Sequence, residues 1–222
     1  MGVYERPGIH PEPHPLLGWF SAFLDESRDW ATGRSWLVRL PLVAYLAYAL
    51  FRHITDSDYS SWFAGLSLGI HELGHVIMGF APFFVTALAG SAAEVLAPLA
   101  GMVMFLRQPD YFGISVLGCW LSYNLFGIGR YIADSRDQFG VYVSIGGGEA
   151  QHDWEYILSS LGLLNQDKAI GGLVKLLGAG VGIAFLALGM WMLWVMWETG
   201  RQGRRQKAEG RSKDNGNPMG SS

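Results

Sequence analysis

Five long apolar segments constrain the fold of this chain more than any other feature of its sequence. They lie at approximately residues 36–51, 61–81, 83–106, 111–132 and 170–197. A helix needs about 20 apolar residues to cross the hydrocarbon core of a bilayer, and only the first segment falls short of that length. Charged residues make up 16% of the chain, against about 25% in soluble domains. The sequence therefore predicts an all-α, polytopic membrane protein with about five transmembrane helices.

The polar segments divide the chain into three regions. Residues 1–35 form an N-terminal flexible and interfacial segment, in which 16–33 has the mixed apolar and charged pattern of a helix at the membrane surface. Residues 36–198 form the transmembrane domain, including a polar loop at 138–169. Residues 199–222 form a basic tail without a hydrophobic face, which predicts disorder. The first thirty residues lack the apolar core of a secretory signal peptide, so none is expected.

The basic residues give conflicting indications of orientation. They flank the apolar region on both sides: Arg28, Arg34 and Arg39 before it, and Arg201, Arg204, Arg205 and Lys207 after it. Cytoplasmic loops carry an excess of Lys and Arg, so both flanks are expected inside. Five spans place them on opposite sides. Either one flank breaks the rule or the span count is wrong by one. The net charge of −3 is too small to indicate a nucleic-acid partner.

The motif with the most specific chemistry is His71-Glu72-Leu73-Gly74-His75, inside the second apolar segment. Residues four apart lie on one face of a helix, so His71 and His75 can bind one Zn²⁺. Glu72 lies beside them and can take a proton from a metal-bound water. Ionisable residues inside a membrane are costly and indicate function. The alternative is a hydrogen-bonded polar cluster that holds helices together.

A zinc site needs at least a third protein ligand, and the residues alone leave its identity open. His152 is one candidate, because it lies in a Gly-flanked loop next to Asp153 and Trp154. Asp134 is another, at the end of the fourth segment. Glu94 also qualifies, as the only acid in an otherwise apolar stretch. The single cysteine, Cys119, excludes a Cys-rich zinc site and an internal disulfide.

The pattern resembles the site-2 protease family of intramembrane zinc metalloproteases, whose core has three helices. The first carries His-Glu-x-x-His, as His71, Glu72 and His75 do here. The second carries a Gly-Pro-x-x-Asn-like element, whose place is taken by Gly90 to Glu94, with Ser for Pro and Glu for Asn. The third carries an Asn followed by Leu-Asp-Gly, matched by Asn124 and then by Asp134 within Ala-Asp-Ser. The resemblance covers about residues 61–137.

This resemblance implies a zinc-dependent endopeptidase that cuts a membrane protein or peptide within or beside the bilayer. It implies Glu72 as the catalytic residue and Asp134 as the third ligand, whereas local chemistry favours His152, and the choice stays open. Glu94 and Asn124 are candidate contacts to the substrate backbone or the developing oxyanion. A bacterial inner membrane is the expected location. The alternatives are a zinc-binding protein without proteolytic activity and a zinc hydrolase of lipid amides or esters.

Overall fold

All regular secondary structure is helical in the residues that the computed structural model describes, 15–138 and 152–215. A short 3₁₀ turn, Leu164–Gln166, precedes the last helix. The helices are α1 (Pro15–Ala31), α2 (Leu40–Thr55), α3 (Ala64–Ile77), α4 (Phe83–Arg107), α5 (Tyr111–Ala133), α6 (Asp153–Ser160) and α7 (Asp167–Asn215). The all-α prediction is confirmed.

Three stretches of helix are long and apolar enough to cross a membrane, and the five-span count is not confirmed. They are Phe83–Arg107, Tyr111–Ala133 and Leu164–Gln206. Helix α2 is apolar but has only 16 residues. Helix α3 has 14 residues and rises about 21 Å, less than the hydrocarbon thickness of about 30 Å. The apolar run that contains α3 is longer only because it includes non-helical residues on both sides.

Helix α7 continues to Asn215, where the sequence predicted a disordered tail from residue 199. An established helix extends at little cost, because only nucleation is unfavourable. The Arg, Lys, Gln, Glu and Ala residues that follow Thr199 also have high helix propensity. The polar composition of the tail therefore does not terminate this helix. Residues 1–14, 139–151 and 216–222, on which parts of the predicted N-terminal segment, polar loop and tail fall, lie outside the described residues.

Helix α5 lies at the centre and runs antiparallel to α7. Near one end Gly171 lies against the carbonyl of Gly129, and near the other Gly189 lies against Ser115. Glycine at these crossings lets the two backbones approach closely, as is usual between membrane helices. Helix α2 is also antiparallel to α7, and α4 is antiparallel to α5.

These directions define two ends of the bundle. The α1 end holds α1, the starts of α2 and α5, and the part of α7 around Thr199, which accepts a hydrogen bond from Gly33. The α6 end holds Thr55, Ala133, α6 and the start of α7. Arg136 ties this second end together, because its guanidinium donates two hydrogen bonds, of 2.9 and 2.6 Å, to the buried carboxylate of Asp167.

The connection between α2 and α3 turns back into the bundle. It starts at the α6 end, where the carbonyl of Ser57 accepts a hydrogen bond from Arg130. It then returns along α2, so that the Trp62 amide donates to the Tyr45 hydroxyl at 2.8 Å. Helix α3 begins at this depth and runs back towards the α6 end. It therefore enters and leaves the bundle on one side, together with residues 56–63.

Candidate metal centre

The α3–α4 hairpin brings the two motif histidines to one point. Gly74 lies directly on the backbone of Ala89, so the two helices are in close contact. His71 and His75 both face Gly90 across this contact. A Cβ atom added to Gly90 would lie 2.5 Å from Nε2 of His71 and 2.6 Å from Nε2 of His75. The missing side chain leaves the space between the two nitrogens open.

Hydrogen bonds at Nδ1 fix the orientation of each of the two histidine rings. His71 Nδ1 lies 2.7 Å from Glu94 Oε1, and His75 Nδ1 donates to the Thr86 carbonyl at 2.8 Å. A neutral imidazole that carries its hydrogen on Nδ1 has its lone pair on Nε2. Metal-binding histidines commonly donate their second nitrogen to a carboxylate or carbonyl in this way.

Asp153, the first residue of α6, completes the group. Its Oδ2 lies 3.3 Å from His71 Nε2 and 3.2 Å from His75 Nε2. The Tyr131 hydroxyl donates to the same oxygen at 3.0 Å. Among residues 15–138 and 152–215, these three side chains form the group of His, Cys, Asp and Glu that could hold a metal ion.

Trp154 holds α6 against the hairpin and so positions Asp153. Its indole nitrogen donates to Ser91 Oγ on α4 at 3.0 Å. Phe83 and Tyr156 add an edge-to-face ring contact between the same two helices, at 4.5 Å between centroids. The His-Asp-Trp segment that stood out in the sequence therefore contributes both a candidate ligand, Asp153, and its anchor, Trp154.

The geometry and chemistry of the group fit zinc. Ligands about 2.0–2.1 Å from a tetrahedral Zn²⁺ lie about 3.3 Å from one another, close to both distances from Asp153. Two imidazoles and a carboxylate also form a common three-ligand catalytic set. Burial would raise the pKa of Asp153, but hydrogen bonds from His71 and His75 lower it to about 2. The carboxylate is therefore ionised at neutral pH, and a divalent cation would replace the protons on the two Nε2 atoms.

The two predicted third ligands lie near this group but outside it. His152 precedes α6, where its Nδ1 accepts a hydrogen bond from the Glu155 amide at 3.2 Å, and its ring stacks on Tyr131. Burial lowers the pKa of His152, and the negative charge of Asp134 opposes that shift. Asp134 follows the last residue of α5. The structure instead brings Asp153, the neighbour of His152, to the histidines, and Asp153 was not among the predicted ligands.

Glu72 lies on α3, one position after the first ligand. It is partly exposed and makes no hydrogen bond or ion pair with residues 15–138 or 152–215. It does not belong to the group that could hold a metal. Its carboxylate is therefore not committed to another side chain in the described part of the chain.

Glu94 and Asn124, which the sequence suggested as substrate contacts, both bond within the protein. Pro98 has no amide hydrogen, so the Glu94 carbonyl four residues earlier lacks its helical partner. Asn124 supplies the missing donor, with Nδ2 at 2.6 Å from that carbonyl. Ser67 Oγ in turn donates to Asn124 Oδ1 at 2.6 Å. This buried chain links α5 to the residue that orients His71.

We expect Asn124→Ala to weaken zinc binding towards the low end of the about 10–100-fold that loss of an outer-shell partner costs. The substitution leaves the Glu94 carbonyl buried without its donor, and α4 must shift at the residue that orients His71. A competition titration with a chromogenic chelator measures the change. Ser122→Ala is the matched control, because Ser122 is equally buried on α5 but bonds to the Gly178 carbonyl. Equal affinity in the two variants would contradict this role.

Gly90→Ala is expected to abolish zinc binding while the helices stay folded. The new methyl group would occupy the space between the two Nε2 atoms, where the metal must lie. Gly69→Ala is the control, because a Cβ at Gly69 meets no atom within 4 Å. Zinc content and circular dichroism of both purified variants test the prediction, which fails if Gly90→Ala carries wild-type zinc.

Comparison with known proteins identified no relative of this chain. Searches against protein-family models, curated proteins and solved structures found no match for the chain. The resemblance to site-2 proteases stays a prediction, and it rests on the sequence motifs named above.

Proposed function

We propose that this protein is a zinc-dependent intramembrane endopeptidase of the site-2 protease type. The observation that carries the proposal is the convergence of His71 Nε2, His75 Nε2 and Asp153 Oδ2 on one point, with Glu72 next to the first ligand in sequence. A carboxylate in that place is not needed for metal binding alone. It is the residue that His-Glu-x-x-His hydrolases use as a general base.

Each residue has a defined task in the proposed reaction. A zinc ion held by the three ligands would polarise the scissile carbonyl and lower the pKa of a water molecule. Glu72 accepts the proton of the attacking water and then donates it to the departing amine, the usual double role of a general base. Glu94 and Thr86 hold the imidazoles in the required tautomer. Tyr131 orients the carboxylate of Asp153.

The surroundings of the hairpin favour a substrate from the membrane. The outer faces of α3 and α4 expose large apolar side chains: Leu66, Leu68, Leu73, Val76, Ile77, Leu88, Leu96 and Leu99. Exposed apolar surface of this extent faces lipid or an apolar partner. A hydrophobic peptide in the bilayer could therefore approach the site laterally. A lipid amide or ester could approach by the same route, and this makes a lipid hydrolase the second candidate.

Purified protein in liposomes tests the proposal. We expect it to contain about one zinc per chain and to cleave single-span reporter peptides, with fragments detected by mass spectrometry. Lipid amides and esters assayed in parallel distinguish the second candidate. His75→Ala, which removes one ligand, should lack both zinc and cleavage. A wild-type protein without bound zinc would contradict the proposed function, and zinc without any hydrolysis would favour a structural or partner-binding role.

A further inference from the structure

We infer that the metal site lies at the extracytoplasmic face of the membrane and acts on peptide segments presented from that face. The location of the site at this face is an inference beyond the proposed function. The inference about the substrate rests on the proposed function. Three observations carry the inference: the directions of the helices, the distribution of basic residues and the depth of the ligands.

The helix directions place the first and last described helices at the same end. Helix α2 runs from the α1 end to the α6 end, α4 returns, α5 crosses again and α7 returns to the level of α1. Helix α3 adds no crossing, because the chain re-enters beside α2 before α3 begins. In the described parts of the chain four helices, α2, α4, α5 and α7, therefore run between the two ends, an even number that includes the short α2 of 16 residues. The conflict between the two basic flanks disappears once α3 is no longer counted.

The basic residues then concentrate at one end. Of those in the described parts of the chain, ten lie at the α1 end: Arg28, Arg34, Arg39, Arg107, Arg201, Arg204, Arg205, Lys207, Arg211 and Lys213. Five lie towards the α6 end: Arg52, Arg130, Arg136, Lys168 and Lys175. Three of these five form ion pairs with nearby aspartates. By the positive-inside rule the α1 end is cytoplasmic.

The ligands lie close to the opposite surface. His75 and His71 are two and six residues before the end of α3, or about 3 and 9 Å along its axis. Tyr131 is two residues before the end of α5, and its hydroxyl contacts Asp153, the first residue of α6. The site is therefore a short distance along the bundle from the α6 end, and we expect water to reach it from there. The substrate class that follows is a membrane segment whose cleaved bond lies near its extracytoplasmic border.

Single-cysteine labelling in intact bacterial cells tests the orientation without requiring metal or activity. Cys119 is buried at 1% exposure and is removed as Cys119→Ala. A membrane-impermeant maleimide should label Leu161→Cys, at the α6 end, in intact cells. Gln108→Cys, at the α1 end, should react only after permeabilisation. The reverse pattern overturns the inference, and so does identical labelling of the two sites.

A second pair of cysteine positions and a second measurement cover the case in which one position of the first pair does not react. Ser57→Cys and Gln202→Cys repeat the comparison at the α6 and α1 ends. An impermeant chelator should also remove zinc from right-side-out vesicles and leave it in inside-out vesicles. Loss of zinc only from inside-out vesicles overturns the inference. If the purified protein holds no zinc, the proposed function fails, while the labelling pattern still decides the orientation.

Discussion

Purified Asp153→Ala protein is expected to contain no stoichiometric zinc, whereas Asp134→Ala and His152→Ala keep theirs. Asp153 supplies the oxygen that faces both Nε2 atoms at 3.2 and 3.3 Å. Its loss leaves two protein ligands, fewer than the three of a catalytic zinc site. The fall in affinity should exceed the about 10–100-fold expected when only an outer-shell partner is removed. Mass-spectrometric metal analysis of the three variants measures it.

The comparison among these variants separates ligation from folding. Asp134 lies directly after α5 and His152 directly before α6, so their substitutions control for disturbance of the helix ends beside Asp153. Trp154→Phe adds a test of the anchor, because it removes the hydrogen bond to Ser91 and keeps the carboxylate. We expect intermediate zinc affinity for it. Full zinc occupancy in Asp153→Ala would show that the third ligand lies elsewhere.

The local part of the site could be predicted from sequence, because helical spacing is a local property. His71 and His75 are one turn apart on any helix, and Glu72 is adjacent to the first of them. The apolar segments 61–81 and 83–106 are separated only by Pro82, which predicts a tight hairpin between them, and α3 and α4 do pack as a hairpin. Glu94 stood out as a lone acid in an apolar stretch, and it bonds to His71. Its orienting role could not be read from the sequence without the partner.

The third member of the candidate metal group depends on contacts that sequence spacing does not encode. Asp153 is separated from His71 by 82 positions, and its place is set by the packing of α6 on α4 through Trp154 and Ser91. The family pattern favoured Asp134 and local chemistry favoured His152. The segment around His152 does reach the histidines, but through the carboxylate of the next residue, Asp153.

The span count exceeded the three long apolar helices for a related reason. A hydropathy window counts apolar residues and cannot distinguish a helix that crosses from a segment that turns back. Residues 56–63 return along α2 through the contact between Trp62 and Tyr45, which is a tertiary interaction. The conflict between the two basic flanks was the signal in the sequence, because it indicated that either one flank breaks the positive-inside rule or the count of five is wrong by one.

Glu72→Gln is expected to keep zinc and lose hydrolysis. Glu72 does not belong to the ligand group, so the amide variant should bind metal with wild-type affinity. It cannot accept the proton of the attacking water, and general-base catalysis commonly contributes about 10²–10⁴-fold to the rate. We expect a fall in kcat of that order and little change in KM. Cleavage assays with reporter peptides in liposomes, on preparations of known zinc content, measure both quantities.

Glu155→Gln is the matched control for this variant. Glu155 is also a partly exposed carboxylate next to the site, in the first turn of α6, but its side chain bonds to Ser159. Its substitution removes one negative charge from the same region. It should leave kcat within about twofold of the wild-type value, because Glu155 transfers no proton in the proposed reaction. A fall in kcat shared by both variants would indicate a general electrostatic effect. Wild-type turnover in Glu72→Gln would show that Glu72 takes no part in the reaction. Loss in Glu72→Gln alone, at full zinc occupancy, separates proton transfer from metal binding. It also separates a hydrolase from a protein that uses this site only for structure.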